Sequence, residues 1–209
     1  MNQASRTRAL VEGERLSFPH VGGRRYVRGL DVVALIERRY PDFTRLDLKF
    51  LRPITHHAAI SFRRDHGTAV AVSLAPTEGA PLDLYIVNLD KAEGPSGKEP
   101  RLAPHIALPG SGDYHRYLVL GRRSHAEILA VVFNRYQAAT GRRFVLRALH
   151  LEPPRAASIE LVSLSEPTTE RGLGVCSITR QGRRWCRIEM IEAQASGVTS
   201  TTSTPVMRR

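Results

Sequence analysis

The chain has 209 residues, 42% of them hydrophobic and 24% charged, with a net charge of +11 and a pI near 10.6. This is ordinary globular composition, long enough to bury a sizeable core in one or two domains, and it excludes a largely disordered chain. No apolar run approaches the roughly 18 to 20 residues that span a bilayer, and the start, MNQASRTRALVEGERL, lacks the apolar stretch of a secretory signal, so the expected location is the cytoplasm, with no membrane partner.

Residues 1–15 are polar and basic and are expected to be a flexible N-terminus. From Leu16 to Arg28 the pattern is strand-like, with a turn at Gly22-Gly23. Asp31 then reads as the N-cap of a helix over DVVALIERRY, with Val32, Val33, Leu35 and Ile36 as its apolar face and Pro41 ending it. Four strand candidates follow: Arg45–Arg52, His57–Arg64, Thr68–Ala75 and Leu82–Leu89. Asp65-His66-Gly67 carries a hairpin signal between the second and third of these.

Residues 91–112 are rich in Pro, Gly and charge without a sustained period, and read as a linker or crossing loop. Tyr114–Leu120 is a strand candidate. Ser124 and Glu127 form a capping-box pattern ahead of HAEILAVVFNRYQAA, a helix apolar almost all the way round, and Gly141 ends it. Such a helix calls for wrapping on every side. Strand candidates at Phe144–Leu151, Ser158–Leu164, Gly174–Thr179 and Trp185–Ile191 are placed to supply it. The Ser/Thr-rich tail, residues 193–209, is expected to be disordered.

The order strand, break, helix, four strands thus occurs twice. Arg25-Tyr26 before Gly29 matches Arg116-Tyr117 before Gly121. Arg39-Tyr40 matches Arg135-Tyr136, Pro53 matches Pro153 and Ile60 matches Ile159. A repeat of about 90 to 100 residues is too long for a solenoid unit and indicates a duplicated small domain.

The two cysteines, Cys176 and Cys186, lack CxxC spacing, so no zinc site is expected and free thiols are. They flank a turn at Gln181-Gly182. A two-residue turn would place them on opposite faces, and a three-residue loop directly across from one another. The basic charge suits a polyanion. However, only Lys49, Lys91 and Lys98 are lysine among 31 basic residues, and the arginines are scattered in pairs, as on a solvated surface.

A helix wrapped by an antiparallel sheet, placed between the first strand and the rest, resembles the hot-dog fold of thioesterases and dehydratases. LDLKFLRPI resembles the strand that follows the helix in that superfamily. The resemblance covers about residues 16–192 and implies an α+β chain of two tandem hot-dog-like units, 16–90 and 113–192. It also implies an acyl thioester of coenzyme A or of an acyl carrier protein as ligand, no cofactor, and units that pair into a homo-oligomer. The dehydratase pattern of His, then Pro-Gly, then an acidic residue on the helix is absent.

The resemblance places the thioester at the N-terminal end of a central helix, where free N–H groups polarise its carbonyl and a carboxylate or imidazole directs water or removes a proton. Asp31, His125 and Glu127 stand at the two helix starts, and His56 and His57 at a strand edge are further catalytic candidates. Arg122 and Arg123 are candidates for a ligand phosphate. Each has a plainer explanation: Asp31 a cap, Glu127 half of a capping box, the histidines ordinary core or surface, the arginines solvated. Trp185, Tyr117 and Tyr136 are expected in the core.

Two other functions fit the sequence. A nucleic-acid-binding module with a duplicated saddle-like sheet would use the +11 charge, although the helix that ends each saddle repeat is missing. A non-catalytic hot-dog assembly or regulatory subunit would account for the incomplete catalytic signature.

Overall fold

The computed structural model describes residues 10–18, 20–21, 28–89, 96–97, 102–111, 114–121, 123–141, 143–152, 159–165, 167–170 and 173–193. Strands β1 (Arg15–Ser17) and β2 (His20–Val21) precede helix α1 (Gly29–Arg39). Then come β3 (Phe43–Phe50), β4 (His57–Ser61), β5 (Thr68–Pro76), β6 (Leu82–Asn88), β7 (Ser96–Gly97), β8 (His105–Ser111) and β9 (Tyr114–Leu120). Helix α2 (His125–Thr140) is followed by β10 (Arg143–Leu151), β11 (Ile159–Ser165), β12 (Thr168–Glu170), β13 (Leu173–Arg180) and β14 (Arg183–Ala193).

Among the described residues, twelve strands form one antiparallel sheet in the order β1-β4-β6-β5-β3-β10-β14-β13-β11-β9-β8, with β12 on β13. The centre of that order is the pairing of β3 with β10: Leu46 faces Leu151, Asp47 faces His150, Leu48 faces Leu149 and Lys49 faces Ala148. Strands from the first half of the chain lie on one side of this seam and strands from the second half on the other. Alternation explains which face is covered. Leu46, Leu48, Leu149 and Leu151 are buried in one continuous core with the apolar faces of both helices, while Asp47 and His150 lie on the opposite face.

Helix α2 is buried through Ala126, Ile128, Leu129, Val131, Val132, Phe133 and Tyr136, as its nearly all-round apolar sequence requires. Its ends follow the sequence as well, with Ser124 and Glu127 closing a capping box and Gly141 in the left-handed conformation at φ 69°.

Several expectations are corrected. The segment 91–112 is not all connector: His105–Ser111 is the edge strand β8, paired with β9, and Ser96–Gly97 pairs with His20–Val21 in a small parallel sheet. Its Pro109 and Gly110 lie at a register irregularity between Leu108 and Ser111, where an edge strand tolerates them. Residues 10–15 are tied down, because Leu10 is buried and the Gly13 N–H donates to the Ile60 carbonyl. Asp65-His66-Gly67 is a turn but not a hairpin. Both β4 and β5 run antiparallel to β6, which lies between them, and the Asp65 side chain bends the chain back by accepting from the Gly67 N–H. The halves also differ in order: β5 neighbours the seam in the first, whereas the last strand, β14, does so in the second.

The turn after β13 has two residues, Gln181 at φ 51° and Gly182 at φ 77°, as a type I′ turn needs. A bulge at Ile178–Thr179 then shifts the register, so Cys186 faces Ile178 and Cys176 faces Ile188. The bulge places both free thiols on the buried face, overriding the opposite-face arrangement that an uninterrupted two-residue hairpin implies. The turn at Gly22-Gly23, residues 1–9 and the tail from 194 lie outside the described residues.

Candidate functional site at the helix starts

The two helices begin differently. At α2 every N–H of the first turn already has a protein acceptor. The Ser124 N–H donates to Glu127 Oε2 at 2.9 Å, and the Glu127 N–H to Ser124 Oγ at 3.2 Å. The N–H groups of His125 and Ala126 donate to the two carboxylate oxygens of Glu37, at 2.6 and 3.0 Å. Glu37 comes from α1, so one helix caps the other. Burial pushes its carboxyl above the ordinary carboxylate range, and the two N–H donors pull it back only in part.

His125 sits in the same junction. Its Nδ1 lies 3.2 Å from Nη1 of the buried Arg180, and its ring packs against Phe43 and Trp185 at centroid distances of 5.7 and 5.5 Å. Burial, with Arg180 adding to it, lowers its pKa to about 4, so the ring is neutral at pH 7. Arg180 also lies over the Trp185 ring, 5.5 Å from its centroid. The Trp185 indole N–H is buried with no hydrogen-bond partner among the described residues.

At α1 the arrangement is open. The N-cap is Arg28, not Asp31, and no side chain caps the helix. Asp31 lies in the first turn, where Arg28 holds both its oxygens from Nε at 3.2 Å and Nη2 at 2.7 Å. An arginine fork draws the carboxylate more strongly than a backbone N–H does, which is why the expected cap does not form. Among the described residues, the N–H groups of Gly29 and Leu30 have no acceptor. Gly29 also meets the seam. A Cβ there would lie 2.7 Å from Leu146 Cδ1 and 2.9 Å from Phe50 Cζ, so only glycine lets the helix start approach β3 and β10 this closely.

The remaining candidates separate. Glu127 is half of the capping box and carries Arg123 at 3.7 Å. Arg123 also donates from Nε to the Leu120 carbonyl, so its guanidinium is engaged locally. Arg122 lies outside the described residues. His56 is buried where β1 meets the start of β4, bonded to Ser17 Oγ at 3.3 Å and to the Phe18 carbonyl, with the exposed His57 ring edge-on to it. Both are remote in the sheet order from the seam, and Asp31 stands six residues from Glu37, about 9 Å along α1. The fold therefore joins His125 and Glu127 at one helix start and leaves Asp31, His56 and His57 apart. Glu37 and Arg180 are the site residues that sequence reasoning missed. Among the described residues no cluster of His, Cys, Asp and Glu suits a metal ion, and no helix is long and apolar enough to cross a membrane.

No family model matches the chain, and no curated protein matches it in sequence. Solved structures do. The chain is similar to a structure described as an oleoyl thioesterase from Lactobacillus plantarum, with 10% identity over 90% of this chain and 98% of that one and a TM-score of 0.51. It is also similar to the TesB protein of Mycobacterium avium subspecies paratuberculosis, with 12% identity over 86% and 92% and a TM-score of 0.50. At such identities the likeness shows the fold alone, a hot-dog fold.

Proposed function

We propose that the chain is two hot-dog units in tandem, with β8 added to the second, and that it binds and hydrolyses an acyl thioester at the start of α1. The observation that carries this is the uncapped first turn of α1, set against the seam beside an oriented carboxylate. A thioester carbonyl accepting from the Gly29 and Leu30 N–H groups would meet the positive end of the helix dipole. Asp31, fixed by Arg28, would direct water at the carbonyl carbon. The thioester carrier is coenzyme A or an acyl carrier protein, in keeping with the oleoyl thioesterase among the similar structures.

The start of α2 is the weaker place for that chemistry. Its donors are consumed by Glu37, Ser124 and Glu127, and a carbonyl would have to displace the Glu37 carboxylate to reach them. His125 is accordingly assigned to the junction between the two helices, and Glu127 to capping α2. The nucleic-acid reading finds little support on the broad open face of the sheet. Its centre mixes Asp47, Asp83 and Glu189 with Lys49, His150 and Arg187, not the single basic sign that a phosphate backbone favours.

Thermal unfolding in the presence of acyl-CoA, free coenzyme A and duplex DNA tests the ligand class. Acyl-CoA at about 100 times its dissociation constant adds roughly 2.7 kcal/mol, a shift of several degrees. A shift with DNA alone, fading with salt, would reject the thioester reading.

A further inference from the structure

A cavity lies between β8, β9 and the C-terminal half of α2, and it shares no lining residue with the start of α1. It has a volume of about 370 Å³ and is lined by Ala107, Leu108, His115, Arg116, Tyr117, Arg135, Ala138 and Ala139. Its origin is legible in side-chain size. Helix α2 presents Arg135, Ala138 and Ala139 at i, i+3 and i+4, a single face, and the edge strand opposite presents Ala107. Three alanines face one another where a packed helix–sheet contact would carry longer side chains, and a cleft remains.

The polar groups in this cleft point to a ligand. Tyr117 is 4% exposed and lines the cavity, yet its hydroxyl has no hydrogen-bond partner among the described residues. The hydroxyl is not itself a buried unpaired atom, the Trp185 indole N–H being the one such side-chain group among the described residues, so it opens to the cavity and is available to donate to a bound acceptor. Burial pushes the phenol pKa up, against the charge of nearby Arg135, so the group is an O–H donor at neutral pH. Arg135 is held in place: its Nε donates to His105 Nε2 at 2.6 Å, and His105 Nδ1–H donates to the Ala103 carbonyl at 2.7 Å. This leaves the two Nη groups of Arg135 for another partner. Among the described residues no carboxylate lines the cavity, and neither Arg116 nor Arg135 has an ion-pair partner there.

We propose that this cleft is a binding site for a small organic carboxylate, whose charged end meets the Arg135 guanidinium and the Tyr117 hydroxyl and whose apolar body lies between Ala107, Ala138 and Ala139. The volume is at the lower end for small-molecule sites and suits a short-chain acid. The site is independent of the thioester reading and shares no residue with the start of α1.

The test is isothermal titration of the full chain with hexanoate, hexanol and inorganic phosphate. Hexanoate binds once per chain, and hexanol, lacking the charge, binds at least about tenfold more weakly. Arg135→Gln weakens hexanoate by about tenfold and Tyr117→Phe by several-fold. Ala138→Leu, which fills the cleft from an exposed helix position, abolishes binding while circular dichroism and melting stay at wild-type values. Asp31→Asn leaves hexanoate binding unchanged. The proposal is overturned if hexanoate does not bind, if hexanol binds equally well, or if phosphate binds more tightly through the same residues. Indifference to Arg135→Gln and Ala138→Leu, or loss of binding in Asp31→Asn, would overturn it too.

Discussion

Glu37 of α1 and His125 of α2 meet across the two helices, the carboxylate accepting the His125 backbone N–H at 2.6 Å and the next N–H, of Ala126, at 3.0 Å. This contact joins the halves on the covered side of the sheet, as the β3–β10 seam does in the sheet itself. It also uses up the donors that a ligand would need at α2.

Glu37→Ala leaves two buried N–H groups without acceptors, each lost charge-assisted bond being worth about 1.5–3 kcal/mol. Urea denaturation will show a loss of about 2–4 kcal/mol, and Glu37→Gln, which keeps one acceptor oxygen, roughly half of it. An unchanged midpoint in Glu37→Ala would mean that water or a neighbour caps α2 equally well.

His125 sets an acid limit. Its folded pKa, about 4, lies below the unfolded value near 6.5, so its contribution is complete above pH 6.5 and is lost as pH falls towards 4. The loss is up to about 3 kcal/mol over that window. Glu37 acts in the opposite sense, since its raised folded pKa makes stability fall as pH rises from the ordinary carboxylate value through the raised one. Unfolding curves between pH 4 and 7 for the wild type and His125→Gln separate the two. The variant lacks the steep acid loss.

On the open face, His150 bonds to Asp47 across the seam and to Glu152 at 3.1 Å. Burial lowers its pKa, but the bonds to and charges of Asp47 and Glu152 outweigh this and raise it. The raised value makes this stabilisation full below the unfolded pKa and lost as pH rises through the folded one. With both partners well exposed, the gain is under about 1 kcal/mol. Histidine NMR titration of Asp47→Asn reads it directly: the His150 pKa drops.

The thiols give a simple check on the bulge. Cys176 and Cys186 are buried side by side, and burial pushes the Cys186 thiol well up. A thiol reagent will find both silent in the folded chain and both reactive in denaturant. Fast labelling of either one in the native state would place it on the open face.

Legibility in the sequence followed how local each cause is. The apolar run of α2, its Ser124–Glu127 cap and the Gln181-Gly182 turn are written in neighbouring residues, and the structure keeps all three. The edge strand β8 was hidden because Pro109 and Gly110 break its pattern, and an edge alone accepts them. Register was lost at one bulge, which moved a cysteine to the other face. Glu37 is one more polar residue on an amphipathic helix beside Arg38 and Arg39, and Arg180 is one of many arginines. Only the packing of α1 against α2 selects them. Asp31 stood out as a helix-start residue, but whether it caps or pairs depended on Arg28, whose fork reaches it first.

The most direct test is thiol release from an acyl-CoA substrate by the wild type, Asp31→Asn, His125→Gln and Glu127→Gln, each first shown to be folded by its melting curve. If the start of α1 is the reacting end, Asp31→Asn lowers kcat by about 10²–10⁴-fold with little change in KM, and the other two stay within a few-fold. Full activity in Asp31→Asn together with an inactive His125→Gln would contradict the assignment and move the reaction to α2, with Glu37 displaced or acting in it.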